Sequence, residues 1–145
     1  MYNALLFVHS YVRYIVLILL IVVIIASAVG LINKKPYSNS DNKLGLSLLI
    51  FTHLQFLVGI ILYFVSPAVV FSGESMKNSS ARYWLVEHAF GMIIAIALIT
   101  AARVTSKKMS DSQAKYRRLL IFNLIAFLII VLTISFSGRD FIYFR

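Results

Sequence analysis

Cysteine is missing from this chain altogether. Its absence excludes disulfides, thiolate metal sites, Cys-ligated iron–sulfur clusters and covalently attached c-type haem. Proline is scarce, at two residues in 145, and acidic side chains number only five. There is no glycine-rich loop to cradle phosphate, no Ser–His–Asp arrangement and no paired carboxylate, so hydrolytic chemistry has no support. Polar residues are in short supply generally. The chain is 61% hydrophobic, where a soluble domain has about 45–50%. A soluble fold of this length has too little interior to hide the excess.

The apolar residues fall into four runs. Residues 4–32 are interrupted by His9, Ser10 and Arg13. Residues 44–64 contain His53 and Gln55, residues 83–102 contain Glu87 and His88, and residues 119–136 contain Asn123. A helix needs about 20 residues to cross the hydrocarbon, and each run supplies that or nearly so. Strands are excluded by length and by the lack of alternation that a barrel requires. The fold expected is all-α: an integral membrane four-helix bundle. It forms one transmembrane domain over residues 1–145, with spans at about 4–32, 44–66, 82–103 and 117–137. The first run is too long for a signal peptide and lacks a preceding basic region, so it is expected to remain as a span. At 1.5 Å per residue it extends roughly 43 Å, which calls for tilt or projection into the outer interface. Pro36 with Ser38, Asn39, Ser40 and Asp41 breaks the chain after span one, and Pro67 ends span two. Gly73 marks the outer loop, and Asp111 and Ser112 are suited to cap a lead-in to span four. Connections this short favour an up-down-up-down order.

The net charge is +9, from 14 Lys and Arg against five acidic residues. The cations sit in short segments between apolar runs, which leaves no basic face for nucleic acid. They suit orientation in a bilayer and contact with anionic headgroups. The connections at 33–43 and 103–118 carry Lys34, Lys35, Lys43, Arg103, Lys107, Lys108, Lys115, Arg117 and Arg118. The opposite side carries Arg13, Lys77, Arg82, Arg139 and Arg145. Nine against five predicts both termini outside, in the periplasm of a Gram-negative cell. Trp84, Tyr83, Tyr63 and Tyr143 fall near the outer boundary as an aromatic belt, and Tyr11 and Tyr14 read as interfacial anchors.

Function is sought among residues that are costly in lipid. All three histidines, His9, His53 and His88, lie in the apolar runs. Two imidazoles on facing helices can ligate haem iron, and three can hold zinc or copper. A single intramembrane histidine can also serve as an interhelical hydrogen-bond partner. With each span centred in the bilayer, His53 lies at the midplane. His88 then lies about 7 Å outward and His9 about 12 Å outward. These heights favour His9 with His88, diagonal across the bundle, and His53 with His88 as the next pairing. Gly91 and Gly59, near His88 and His53 in sequence, can admit a flat macrocycle or close helix packing. Arg13, Arg82 and Arg139 can hold outward-facing propionates or reach lipid headgroups. Glu87 can pair with Arg82 or Arg13, or carry protons in quinone chemistry. Gln55 and Asn123 read as polar links between helices.

The segments Leu6-Phe7-Val8-His9-Ser10-Tyr11-Val12-Arg13-Tyr14, Phe51-Thr52-His53-Leu54-Gln55 and Val86-Glu87-His88 resemble a family of small four-helix membrane proteins. That family occurs in Bacteroidetes-type bacteria and carries the label cytochrome b. The likeness extends over nearly the whole chain, including Lys34-Lys35-Pro36-Tyr37. It implies haem b, held non-covalently, and electron transfer in the bacterial inner membrane, with His9, His53 and His88 as candidate iron ligands. The expectation is an electron carrier or accessory subunit rather than a stand-alone enzyme, with quinol as a possible donor. So small a chain lacks room for a full catalytic cycle and is expected to form a homodimer or join a larger respiratory or transport complex. The competing expectation is a non-redox assembly subunit whose histidines bond neighbouring helices.

Overall fold

The computed structural model describes residues 1–138. Arg139, Tyr143 and Arg145, expected at the outer boundary, lie outside the described residues. All regular structure among the described residues is helical. The long helices are α1 (Tyr2–Ile32), α2 (Asn39–Val65), α3 (Ser79–Lys107) and α4 (Ser112–Ser135), and a 3-10 turn, Gly73–Lys77, lies between α2 and α3. By length and composition all four can cross a membrane, which suggests a multi-pass membrane protein.

Three of the helices start on side-chain caps that the sequence supplies. Ser38 Oγ accepts from Asp41 N–H at 3.2 Å while Asp41 Oδ2 accepts from Ser38 N–H at 3.0 Å, a reciprocal capping box for α2. Asn78 Oδ1 accepts from Ser80 and Ala81 N–H, each at 3.0 Å, to open α3. Asp111 Oδ2 accepts from Ala114 N–H at 2.9 Å, and the lead-in runs unbroken into α4. Helix α3 is irregular within: between the turn Ser79–Arg82 and the long segment His88–Lys107, residues Tyr83–Glu87 form a π turn. Such turns shift every preceding side chain relative to the following ones and gather at functional sites.

The outside of the molecule is more apolar than parts of its inside. Ile18, Ile25, Leu57, Phe90 and Leu132 are each more than half exposed, whereas Ser10, Ser27, Thr52, Arg103, Ser106 and Asn123 are buried. In water that surface would drive aggregation. In lipid, burying Leu against Leu gains little, so association falls to close packing and interhelical bonds. The buried Ala95, Ala102 and Ala126 serve the first, with Leu20 and Ile99 filling the centre. Gly91 does too, since a Cβ there would collide with Thr133 Oγ1.

Bonds between helices cluster at two ends. At one end Arg103 donates to Asn42 Oδ1 at 2.8 Å and to its carbonyl at 3.2 Å. Tyr116 O–H donates to Asp41 Oδ2 at 2.7 Å, and Tyr37 N–H donates to Ser112 Oγ at 2.8 Å. At the other end Gln55 Nε2 donates to the His9 carbonyl at 2.9 Å, Tyr63 O–H to the Leu85 carbonyl at 2.8 Å and Tyr83 O–H to the Thr133 carbonyl at 2.8 Å. Helix α1 packs on α2 and α4, α3 packs on α4, and α2 touches α3 only sparsely. This packing is compatible with a four-helix bundle in which α1 and α3 face each other across a gap.

Candidate functional site

That gap is a cavity of about 500 Å³, within the 300–1,000 Å³ range of small-molecule and cofactor sites. Its walls are mostly apolar, with Val16, Met92, Ile96, Ile99 and Ile130 among them. The polar side chains reaching it come chiefly from α1 and α2: His9, Ser10 and Arg13 from the first, Thr52 and Gln55 from the second. Helix α3 contributes Tyr83, Trp84 and His88.

His88 sits one residue after the π turn, with Trp84 and Tyr83 around its ring. Centroid distances are 5.2 Å to Trp84 and 5.8 Å to Tyr83. The Tyr83 hydroxyl has one proton, and gives it to the Thr133 carbonyl. At its longer contact with His88 Nδ1, 3.4 Å, the same hydroxyl must therefore accept. This arrangement puts the imidazole proton of His88 on Nδ1 and leaves a lone pair on Nε2. In a regular α-helix residues five apart point in different directions. The π turn is what brings Tyr83 under His88.

His9 lies against α2. A Cβ added to Gly59 would come within 3.3 Å of His9 Cε1 and 3.8 Å of its Nδ1, so the glycine makes room for the ring. His9 Nδ1 is buried without a partner, as are Thr52 Oγ1 and Gln55 Oε1 on the same cavity wall. Neither His9 Nε2 nor His88 Nε2 is hydrogen-bonded or shut in. Both rings line the same cavity as the Arg13 side chain. The Arg13 guanidinium lies 4.8 Å from the Tyr14 ring centroid, and its Nη2 donates to the Tyr14 hydroxyl at 3.0 Å.

The other sequence candidates lie elsewhere. His53 is on the exposed face of α2, turned from the cavity, with its Nδ1 donating to the Leu49 carbonyl at 2.9 Å. The structure thus brings His9 and His88 together and leaves His53 out. Among the described residues no group of three or more metal-binding side chains is assembled. Arg82 does not line the cavity either; its Nε donates to Glu87 Oε1 at 2.8 Å, with both side chains 42% exposed. Gly91 packs on Thr133, whereas Gly59 borders the cavity. Arg103 is buried at the opposite end of the helices, although its sequence position groups it with the loop cations.

No protein-family model, curated protein or solved structure matches the chain. The site must be judged on its own chemistry. Two imidazoles, a nearby guanidinium, apolar walls and a glycine recess suit a flat, largely apolar cofactor with anionic edges. Haem meets that description, and the residues present fit it.

The cavity also reaches the outer surface of the protein. Ile60 and Phe64 of α2 and Ile93 of α3 border it, yet they are 39%, 70% and 52% exposed. They flank the sparse α2–α3 seam, so the opening is sideways, through a face suited to lipid.

Proposed function

We propose that this protein is a b-type haem carrier of the bacterial inner membrane, in which His9 and His88 would hold the haem iron. The observation that carries the reading is that these two histidines, from helices that face each other across the molecule, line one cavity with Nε2 of each left open. Tyr83 holds the proton of His88 on Nδ1 and so keeps Nε2 available. Arg13 brings positive charge to the same cavity, where carboxylates of a bound group would be stabilised. Met92, Ile96, Ile99 and Ile130 keep water from the centre. Bound haem would supply one-electron redox chemistry.

The resemblance to the small cytochrome b-labelled family supports the same reading. The proposed orientation is up-down-up-down with both termini in the periplasm, supported by the excess of cations over residues 33–43 and 103–118, of which Arg103 is buried. A membrane-dissolved quinol is the proposed electron donor, supported by the sideways opening beside Phe64 and Ile93. The protein works as a homodimer or within a larger assembly in this reading. The exposed ring of His53 supports that, because a polar group facing hydrocarbon is costly and a partner helix would relieve it.

An absorption spectrum of the detergent-purified chain, oxidised and then dithionite-reduced, with a pyridine haemochrome assay, tests the proposal. A Soret band with sharp reduced alpha and beta bands at about one haem per chain is expected for six-coordinate bis-imidazole iron. A colourless protein from haem-replete cells would overturn it in favour of an assembly subunit whose histidines bond neighbouring helices.

A further inference from the structure

The two histidines of the cavity are held in different ways. His88 has Tyr83 on its Nδ1, whereas His9 Nδ1 is buried with nothing to bond. The residue that could complete it is already attached to His9. Gln55 Nε2 donates to the His9 main-chain carbonyl at 2.9 Å, and because a carbonyl only accepts, this bond settles which end of the amide is which. The other end, Oε1, is buried and has no partner. One neutral imidazole nitrogen and one amide oxygen thus stand unsatisfied on two residues that are bonded to each other.

They are also on the same side. His9 Nδ1 is 3.8 Å from where a Cβ on Gly59 would be, and Gly59 is four residues after Gln55, on the same face of α2. The two atoms match only if the imidazole proton is on Nδ1: the nitrogen then donates and the oxygen accepts. A polar link between α1 and α2 needs only the Nε2 bond, and leaves both orphaned atoms unexplained. Leaving either buried and unbonded is costly, and a bond between the two relieves both.

We infer that Gln55 is the positioning residue for His9, its amide oxygen accepting from Nδ1–H and so presenting the Nε2 lone pair to the cavity. The inference rests on the haem reading above. It makes the two ligand rings equivalent, each with its Nδ1 proton held by the protein. An acceptor on Nδ1–H makes the imidazole a more basic ligand, which favours ferric over ferrous iron.

The test is a redox titration of bound haem in the unaltered protein and in three variants, with haem content measured for each. Gln55→Leu removes the acceptor, and its midpoint potential rises. Gln55→Glu also loses the donation to the His9 carbonyl but restores an acceptor, so its midpoint falls to or below that of the unaltered chain. Asn123→Leu removes another orphaned polar atom, one that does not line the cavity, and leaves the midpoint unchanged. An unchanged midpoint in Gln55→Leu, a rise in Gln55→Glu, or an equal shift in Asn123→Leu overturns the positioning role. Should Gln55→Leu fail to fold, the near-isosteric Gln55→Met takes its place, and an unchanged midpoint there is the overturning result. Absence of haem from the unaltered protein sinks the haem reading itself, and this inference with it; a haem-bearing protein with an indifferent Gln55 sinks only the inference.

Discussion

His9, His53 and His88 are chemically identical in the sequence and sit in three different environments. His88 is held by Tyr83 through Nδ1, His9 is wedged against Gly59 with Nδ1 unmet, and His53 bonds its own helix at Leu49 on the exposed face. Substitution should separate them. His88→Ala and His9→Ala are each expected to abolish the Soret band of the purified protein, while His53→Ala keeps haem content within about twofold of the unaltered chain. Haem loss from His53→Ala alone would move the site to the outer face of α2. Height in the bilayer, reckoned from rise per residue, set His9 nearer to His88 than to His53 in the sequence reading, and His9 and His88 line one cavity. The direction of His53 was not legible there, since Thr52 and Gln55 close beside it point inward and the neighbouring residues are apolar on every side. Arg82 shows the same limit: its partner Glu87 was among the expected ones, but its position outside the cavity depends on how the π turn rotates that end of α3.

Helix α3 carries the irregularity on which the site depends. Tyr83 reads from sequence as an interfacial aromatic, yet it is buried at 4% exposure and bonds both Thr133 and His88. No periodicity announces this, because a spacing of five fits no face of a regular helix. Tyr83→Phe removes both bonds while keeping the ring. It is expected to cost about 1 kcal/mol of stability, the scale of one interhelical bond in a membrane. Thermal unfolding in detergent should show the loss, and a blurred low-spin ferric EPR signal should accompany it as His88 loses its fixed orientation. Gly91→Leu acts on the same helix through packing alone. Its side chain would be driven into Thr133, and overpacking of this kind costs about 1–3 kcal/mol. The melting temperature should fall without a change in the positions of the haem bands. An unchanged melting temperature would mean that α3 and α4 can separate there at no cost. The helices themselves were plain in the sequence, since apolar run length decides them. Their caps were partly so: Asp111 was foreseen, whereas Ser38 with Asp41 was visible only as a turn.

For the whole molecule the charge asymmetry makes the sharpest prediction. The chain has no cysteine, so single-cysteine variants report cleanly on sidedness. In spheroplasts a membrane-impermeant maleimide should label Asn3→Cys and Ser80→Cys and spare Lys35→Cys and Lys108→Cys until the membrane is opened. The reverse pattern would invert the proposed orientation. Four apolar runs and their order could be read from composition, but the cavity could not. It lies in the gap between α1 and α3, beside a sparsely packed α2–α3 seam, and sparse packing leaves no signature in hydropathy. That sparse seam, bordered by Ile60, Phe64 and Ile93, has a consequence for how any occupant is weighed. An opening onto hydrocarbon exchanges its contents with the bilayer rather than with water. Occupancy is then governed by the mole fraction of ligand dissolved in lipid, and an affinity stated per litre of buffer will drift with the amount of detergent or lipid in the sample.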